Sequence, residues 1–164
     1  MKIETRWLIL LLAAILSACT TPKTPAEFRQ VLQDHASLSA THIEKFEVAR
    51  PFNETAQFVK RRANECLNVT LQIKEAGGYY GTVRKSSAVF EPFATISAKE
   101  AEIYLTESYS SGDRIIMFVA DFYPVSKTKT RVEFYYIWGD DRARIAKAFR
   151  MWSQGEKAGC PDLS

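Results

Sequence analysis

The chain of 164 residues predicts an α+β domain: an antiparallel sheet of five to seven strands with two helices packed on one face. Three observations carry this expectation. From residue 43 to residue 138, short runs alternate apolar with polar residues, as half-buried strands do. Two segments, 52–67 and 141–154, instead repeat their apolar residues every three or four positions, as one face of a helix does. Gly77-Gly78 and Ser110-Ser111-Gly112-Asp113 break the alternation where chain reversals are needed.

The elements follow in order. Ile43, Lys45 and Glu47 alternate with Glu44, Phe46 and Val48, so a first strand has Phe46 and Val48 on one face and ends at Arg50-Pro51. A helix follows, with Asn53 as its expected N-cap and Glu54 in the first turn. Phe52, Ala56, Val59, Ala63, Cys66 and Leu67 form its apolar stripe, and Lys60, Arg61, Arg62 and Glu65 fall mostly outside it. Val69, Leu71 and Ile73 alternate as a strand beyond Asn68. After the Gly77-Gly78 turn come strands at 79–83 and 87–94, where Pro92 marks an edge or a strand end. Ala101, Ile103 and Leu105 alternate next.

The two longest strands are expected at 114–123 and 131–138, joined by the solvated Lys127-Thr128-Lys129-Thr130 loop. One of their faces carries Ile116, Phe118, Ala120 and Phe122 with Val132, Phe134, Tyr136 and Trp138. The other is mixed: Ile115, Met117, Val119, Tyr123, Tyr135 and Ile137 stand beside Asp121, Arg131 and Glu133. Asp140 or Asp141 begins a last helix with the stripe Ile145, Ala148, Phe149 and Trp152, closed by Gly155.

The run from Trp7 to Leu16 follows Lys2 and Arg6, is too short to span a bilayer with margin, and stops at small residues. Leu16-Ser17-Ala18-Cys19 resembles the lipobox of bacterial lipoproteins. The resemblance implies a signal peptide over residues 1–18, a diacylglyceryl group on Cys19, and a lipidated N-terminus and flexible tether over 19–42, with a short helix near 25–33. A single periplasmic domain over 43–164 follows. With Thr20 rather than Asp after the lipidated cysteine, it also implies a place in the outer membrane, the domain facing the periplasm. Acyl chains contribute roughly 0.8 kcal/mol per buried methylene, so two or three of them hold a protein on the bilayer without further help.

With Cys19 assigned to lipid, Cys66 and Cys160 remain, and exported thiols usually pair. A bridge between them requires the ends of the two helices to converge, and therefore puts both helices on one face of the sheet. Taking away Lys2, Arg6 and Glu4 lowers the net charge of +3 to about +2, too near neutrality to imply nucleic acid as a partner. Over residues 43–154 the element order resembles the helix-grip arrangement of small envelope lipoprotein domains and of START-type lipid-binding domains. That resemblance implies a fold and little about function.

No constellation of catalytic or metal-ligating residues stands out. His35 and His42 lie outside any cluster of cysteines or carboxylates, Asp140-Asp141 suit a helix start, and no glycine-rich phosphate loop, GxSxG or HExxH motif is present. No cofactor and no enzymatic activity are expected. The aromatic-rich mixed face, through Tyr123, Tyr135 and Ile137, and the basic run Lys60, Arg61 and Arg62 are the candidate interaction residues. The expected function is that of a non-enzymatic accessory or assembly subunit binding another envelope protein. The alternative is a carrier of lipid or a small apolar ligand between the sheet and the C-terminal helix.

Overall fold

In the computed structural model, which describes residues 21–75, 84–109, 112 and 114–163, nine elements follow one another. They are α1 (Pro25–Asp34), β1 (Thr41–Val48), α2 (Phe52–Leu67), β2 (Val69–Glu75), β3 (Arg84–Ile96), β4 (Ala101–Tyr109), β5 (Arg114–Ser126), β6 (Lys129–Ile137) and α3 (Asp140–Ser153). The strands form one antiparallel sheet in the order β1-β6-β5-β4-β3-β2. Strands β2 to β6 are therefore a meander, and β1 is added beside β6 with Phe46 opposite Val132. Because β1 and β2 are the two edges, α2 must carry the chain across the whole sheet between them. The crossing presses its apolar stripe onto the strands.

That stripe and the stripe of α3 share one face, as the cysteine pair requires. Ala56, Val59, Ala63, Leu67, Ile145, Phe149 and Trp152 are buried in one cluster with Phe118, Ala120, Phe122, Val132 and Phe134. The rings interlock: Phe149 lies 4.7 Å from Phe118 and 5.4 Å from Trp152, centroid to centroid. Cys66 at the end of α2 is bonded to Cys160 beyond α3, with their Cα atoms 5.0 Å apart. Gly155 ends α3 with φ +87°, and a Cβ there would sit 2.8 Å from the Arg50 guanidinium carbon, so glycine suits both the backbone and the space.

The second face differs from expectation, because a third helix lies on it. The segment expected to be tether contains α1, which rests against β1, β5 and β6. Its start is a capping box: the Glu27 N–H donates to Thr24 Oγ1 at 3.2 Å, and the Thr24 N–H donates to the Glu27 carboxylate at 3.3 Å. Pro25 occupies the first turn, where its missing N–H costs nothing. Phe28 and Leu32, one turn apart, are both buried against Ile116, Val119 and Tyr135.

Four local expectations are corrected. A bulge in β5 opposite Leu105 and Thr106 puts Met117 in the main core and turns Ile116 to the second face, because one extra residue inverts the alternation. Trp138, expected inward, follows the end of β6 and is 58% exposed. The cap position of α2 is Pro51 rather than Asn53, whereas α3 begins at Asp140 as expected, with Gly139 before it and both aspartates in its first turn. His42 belongs to β1, where its ring stacks on Tyr136 at 5.0 Å. Pro92 lies within β3, yet β2 stops pairing with β3 at Val69 and Phe90, so Pro92 stands on a locally open edge as its missing donor demands. The Gly77-Gly78 turn, the strand at 79–83, and residues 1–18 with Cys19 lie outside the described residues.

Candidate functional site

The second face of the sheet carries a network of charged groups around the buried Asp121, and α1 divides it into a covered centre and two open ends. At the centre, Arg29 of α1 bridges two strands. It donates to Glu102 of β4 at 2.7 Å and to Asp121 of β5 at 3.2 Å. Asp121 is 3% exposed, and burial pushes its carboxyl up to about 7 although Arg29 pulls the other way. Beside it the Tyr135 hydroxyl donates to Glu133 at 2.7 Å, and Glu133 also meets Lys45 and Arg131. Burial acts to raise the Glu133 carboxyl, but the hydrogen bonds from Tyr135 and Lys45 outweigh it and hold the group below its ordinary value. Burial and the Glu133 carboxylate push the Tyr135 hydroxyl well up. A cationic clamp and carboxylates each tied to partners hold a helix in place.

At the N-terminal end of α1 the described residues leave the sheet open. A cleft of about 400 Å³ is lined by Lys23, Phe93, Tyr104, Thr106, Gly112, Arg114 and Ile116. Its floor is aromatic: Phe93 of β3 and Tyr104 of β4 stand opposite each other in the pairing register and stack at 5.2 Å with 15° between the rings. The Arg114 guanidinium lies 5.3 Å over Phe93 and donates through Nη2 to Glu91 at 2.6 Å. Ile116 reaches this cleft through the bulge in β5, which is why alternation alone misplaces it.

At the other end, beyond the C-terminus of α1, three large apolar side chains are exposed: Leu38 (56%), Ile137 (43%) and Trp138 (58%). Backbone hydrogen bonds bind them into one corner. The Trp138 N–H donates to the Ala40 carbonyl at 2.6 Å, the Thr41 N–H donates to the Leu38 carbonyl at 3.0 Å, and Thr41 pairs with Ile137. Of the expected interaction residues on this face, Ile137 therefore lies in an exposed apolar surface. Tyr135 lies under α1, and Tyr123 is half-buried with Arg131 4.7 Å over its ring.

The basic run also divides. Arg61 is exposed and Lys60 half-buried beside a shallow depression with Gln57, Asn64 and Glu65. Arg62 is structural: it lies 5.7 Å over Trp152, pairs with Glu65 and donates to the Ala158 carbonyl at 2.6 Å, pinning the C-terminal segment to α2. The exposed Leu38 and Trp138 were missed in the sequence, because Trp138 continues the inward alternation of β6 and Leu38 sits in a segment read as tether. Among the described residues no group of histidine, cysteine, aspartate or glutamate is placed to hold a metal ion, and no helix is long and apolar enough to cross a membrane. No protein-family model matches the chain, and no curated protein matches its sequence.

Proposed function

We propose that the chain is a lipid-anchored accessory subunit of the bacterial outer membrane, whose periplasmic domain binds another envelope protein and performs no chemistry of its own. The observation that carries the reading is the corner of Leu38, Ile137 and Trp138. Single exposed apolar side chains are ordinary, but an exposed tryptophan flanked by two aliphatic residues has the composition of a binding hot spot. The lipobox-like Leu16-Ser17-Ala18-Cys19 supplies the anchor and the compartment. This reading is favoured over a carrier of lipid or a small apolar ligand, because the space between the sheet and α3 is filled by Phe118, Phe134, Phe149 and Trp152.

Two measurements test the reading. Globomycin, which blocks lipoprotein signal cleavage, should cause a precursor to accumulate; normal processing in its presence would remove the anchor. In cells, a photo-crosslinking amino acid in place of Trp138 should give one discrete protein adduct that Ile137→Glu abolishes. Adducts from a crosslinker at Arg61 with none from position 138 would move the surface to α2.

A further inference from the structure

We propose that the cleft at the N-terminal end of α1 sits on the bilayer and takes the phosphate of an anionic phospholipid headgroup between Lys23 and Arg114. The proposal rests on the lipid-anchor reading of Cys19. It follows from the docking of α1, which was not expected. A tether over residues 19–42 would let the domain stand away from the membrane in any orientation, but α1 is clamped to the sheet by Arg29 and by buried Phe28 and Leu32. Only residues 20–22 then lie between the lipidated position and Lys23, which already lines the cleft. Four residue steps reach at most about 14 Å even when fully extended.

That reach selects one side of the molecule. The second face, with the cleft, lies within it. The half-buried Lys60 and exposed Arg61 belong to α2, which packs on the opposite face of the sheet behind a helix layer about 10 Å thick, so they face away from the cleft. The chemistry of the near side fits. The cleft places two cations, the Thr106 hydroxyl and the apolar groups of Phe93, Tyr104 and Ile116 around one space, and no carboxylate is among the described residues that line it. The bond from Arg114 to Glu91 uses Nη2, one part of a guanidinium with five donors. Arginine and lysine bind phosphate strongly, and aromatic rings settle at the level of the headgroups.

The test uses the full-length lipidated protein in phosphatidylcholine vesicles with or without phosphatidylglycerol, with a photo-crosslinking amino acid at Phe93 or at Arg61. The expected result is phospholipid adduct at position 93, little at position 61, and a loss of about tenfold when phosphatidylglycerol is omitted or when Lys23→Glu and Arg114→Glu are combined. Unchanged thermal melting of that variant shows that it remains folded, and the pair Lys23→Gln and Arg114→Gln should give an intermediate loss. Equal adduct at both positions, or adduct indifferent to phosphatidylglycerol and to the charge reversals, would overturn the proposal. So would its complete suppression by soluble glycerol phosphate, which would assign the cleft to a free phosphate compound. Intact mass reads the acyl groups on Cys19 separately. If they are missing the anchor reading fails, and the dependence of the same protein on phosphatidylglycerol still decides the cleft.

Discussion

Arg29 of α1 and Asp121 of β5 meet at 3.2 Å across the second face of the sheet, and the other carboxylate oxygen of Asp121 has no hydrogen-bond partner among the described residues. One guanidinium therefore serves two carboxylates, Asp121 and Glu102, while Glu133 and Glu100 add further negative charge nearby.

The stability of the domain should consequently fall as pH rises toward neutrality. Burial raises the Asp121 carboxyl from 3.8 to about 7, so between these values the folded state holds a proton that the unfolded state has released. Its contribution is complete below about pH 4 and lost as pH passes 7. Asp121→Asn, which keeps the shape without the charge, should match the wild type near pH 4.5 and exceed it at pH 8 by an amount on the order of a few kcal/mol. Thermal melts at both pH values decide it; an Asn variant that loses equally at both would mean that the attraction to Arg29 dominates.

Phe28→Ala should cost about 3–4 kcal/mol and do so locally. Phe28 is 2% exposed and belongs to the small cluster under α1, apart from the main core. Hydrogen exchange should therefore speed up in Pro25–Asp34 and the facing part of β5 while α2 and α3 keep their protection. Uniform loss of protection would show that α1 and the main core unfold together.

Cys66→Ser should lower thermal stability clearly under oxidising conditions and much less under reducing ones, where the wild type has lost the bridge too. Residues 66 and 160 are 94 apart in sequence, and closing such a loop is worth about 4–5 kcal/mol on the chain-entropy estimate before strain. Equal losses in both conditions would mean that the residue acts only through its packing at the end of α2.

Two neighbouring arginines should behave differently. Arg62→Ala removes the contact over Trp152 and the bond to the Ala158 carbonyl, and should cost about 1–2 kcal/mol while freeing the C-terminal segment to limited proteolysis. Arg61→Ala, on the exposed side of α2 with its guanidinium 5.3 Å over Phe58, should stay within about 0.5 kcal/mol of the wild type.

Much of the architecture was legible because periodicity is local. The stripes of α2 and α3 and the inward residues Phe118, Phe122, Val132 and Phe134 follow from spacing and from which residues must avoid water, whereas the pairing of Cys66 with Cys160 follows from the lipobox resemblance, which assigns Cys19 to lipid and leaves two exported thiols. The strand order could not be read the same way, since alternation shows which residues share a face but not which strand lies beside which. That β1 pairs with β6, far along the chain, is decided by the reach of α2 across the sheet.

The second face shows where local reading stops. Thr24-Pro25-Ala26-Glu27 already carries a helix start in its sequence, so the existence of α1 was within reach. Its docking was not, because ten residues with two deeply buried apolar side chains do not reveal whether a partner surface waits for them. The bulge at Met117 and the clamp from Arg29 to Asp121 and Glu102 prepare that surface; the first depends on how β4 pairs with β5, and the second joins residues more than seventy apart in sequence. Sequence by itself determined which residues must leave water. Tertiary structure decided which of them are covered by this chain and which, at Leu38, Ile137 and Trp138, are left for another surface, because burial is a property of what lies opposite a residue and not of the residue.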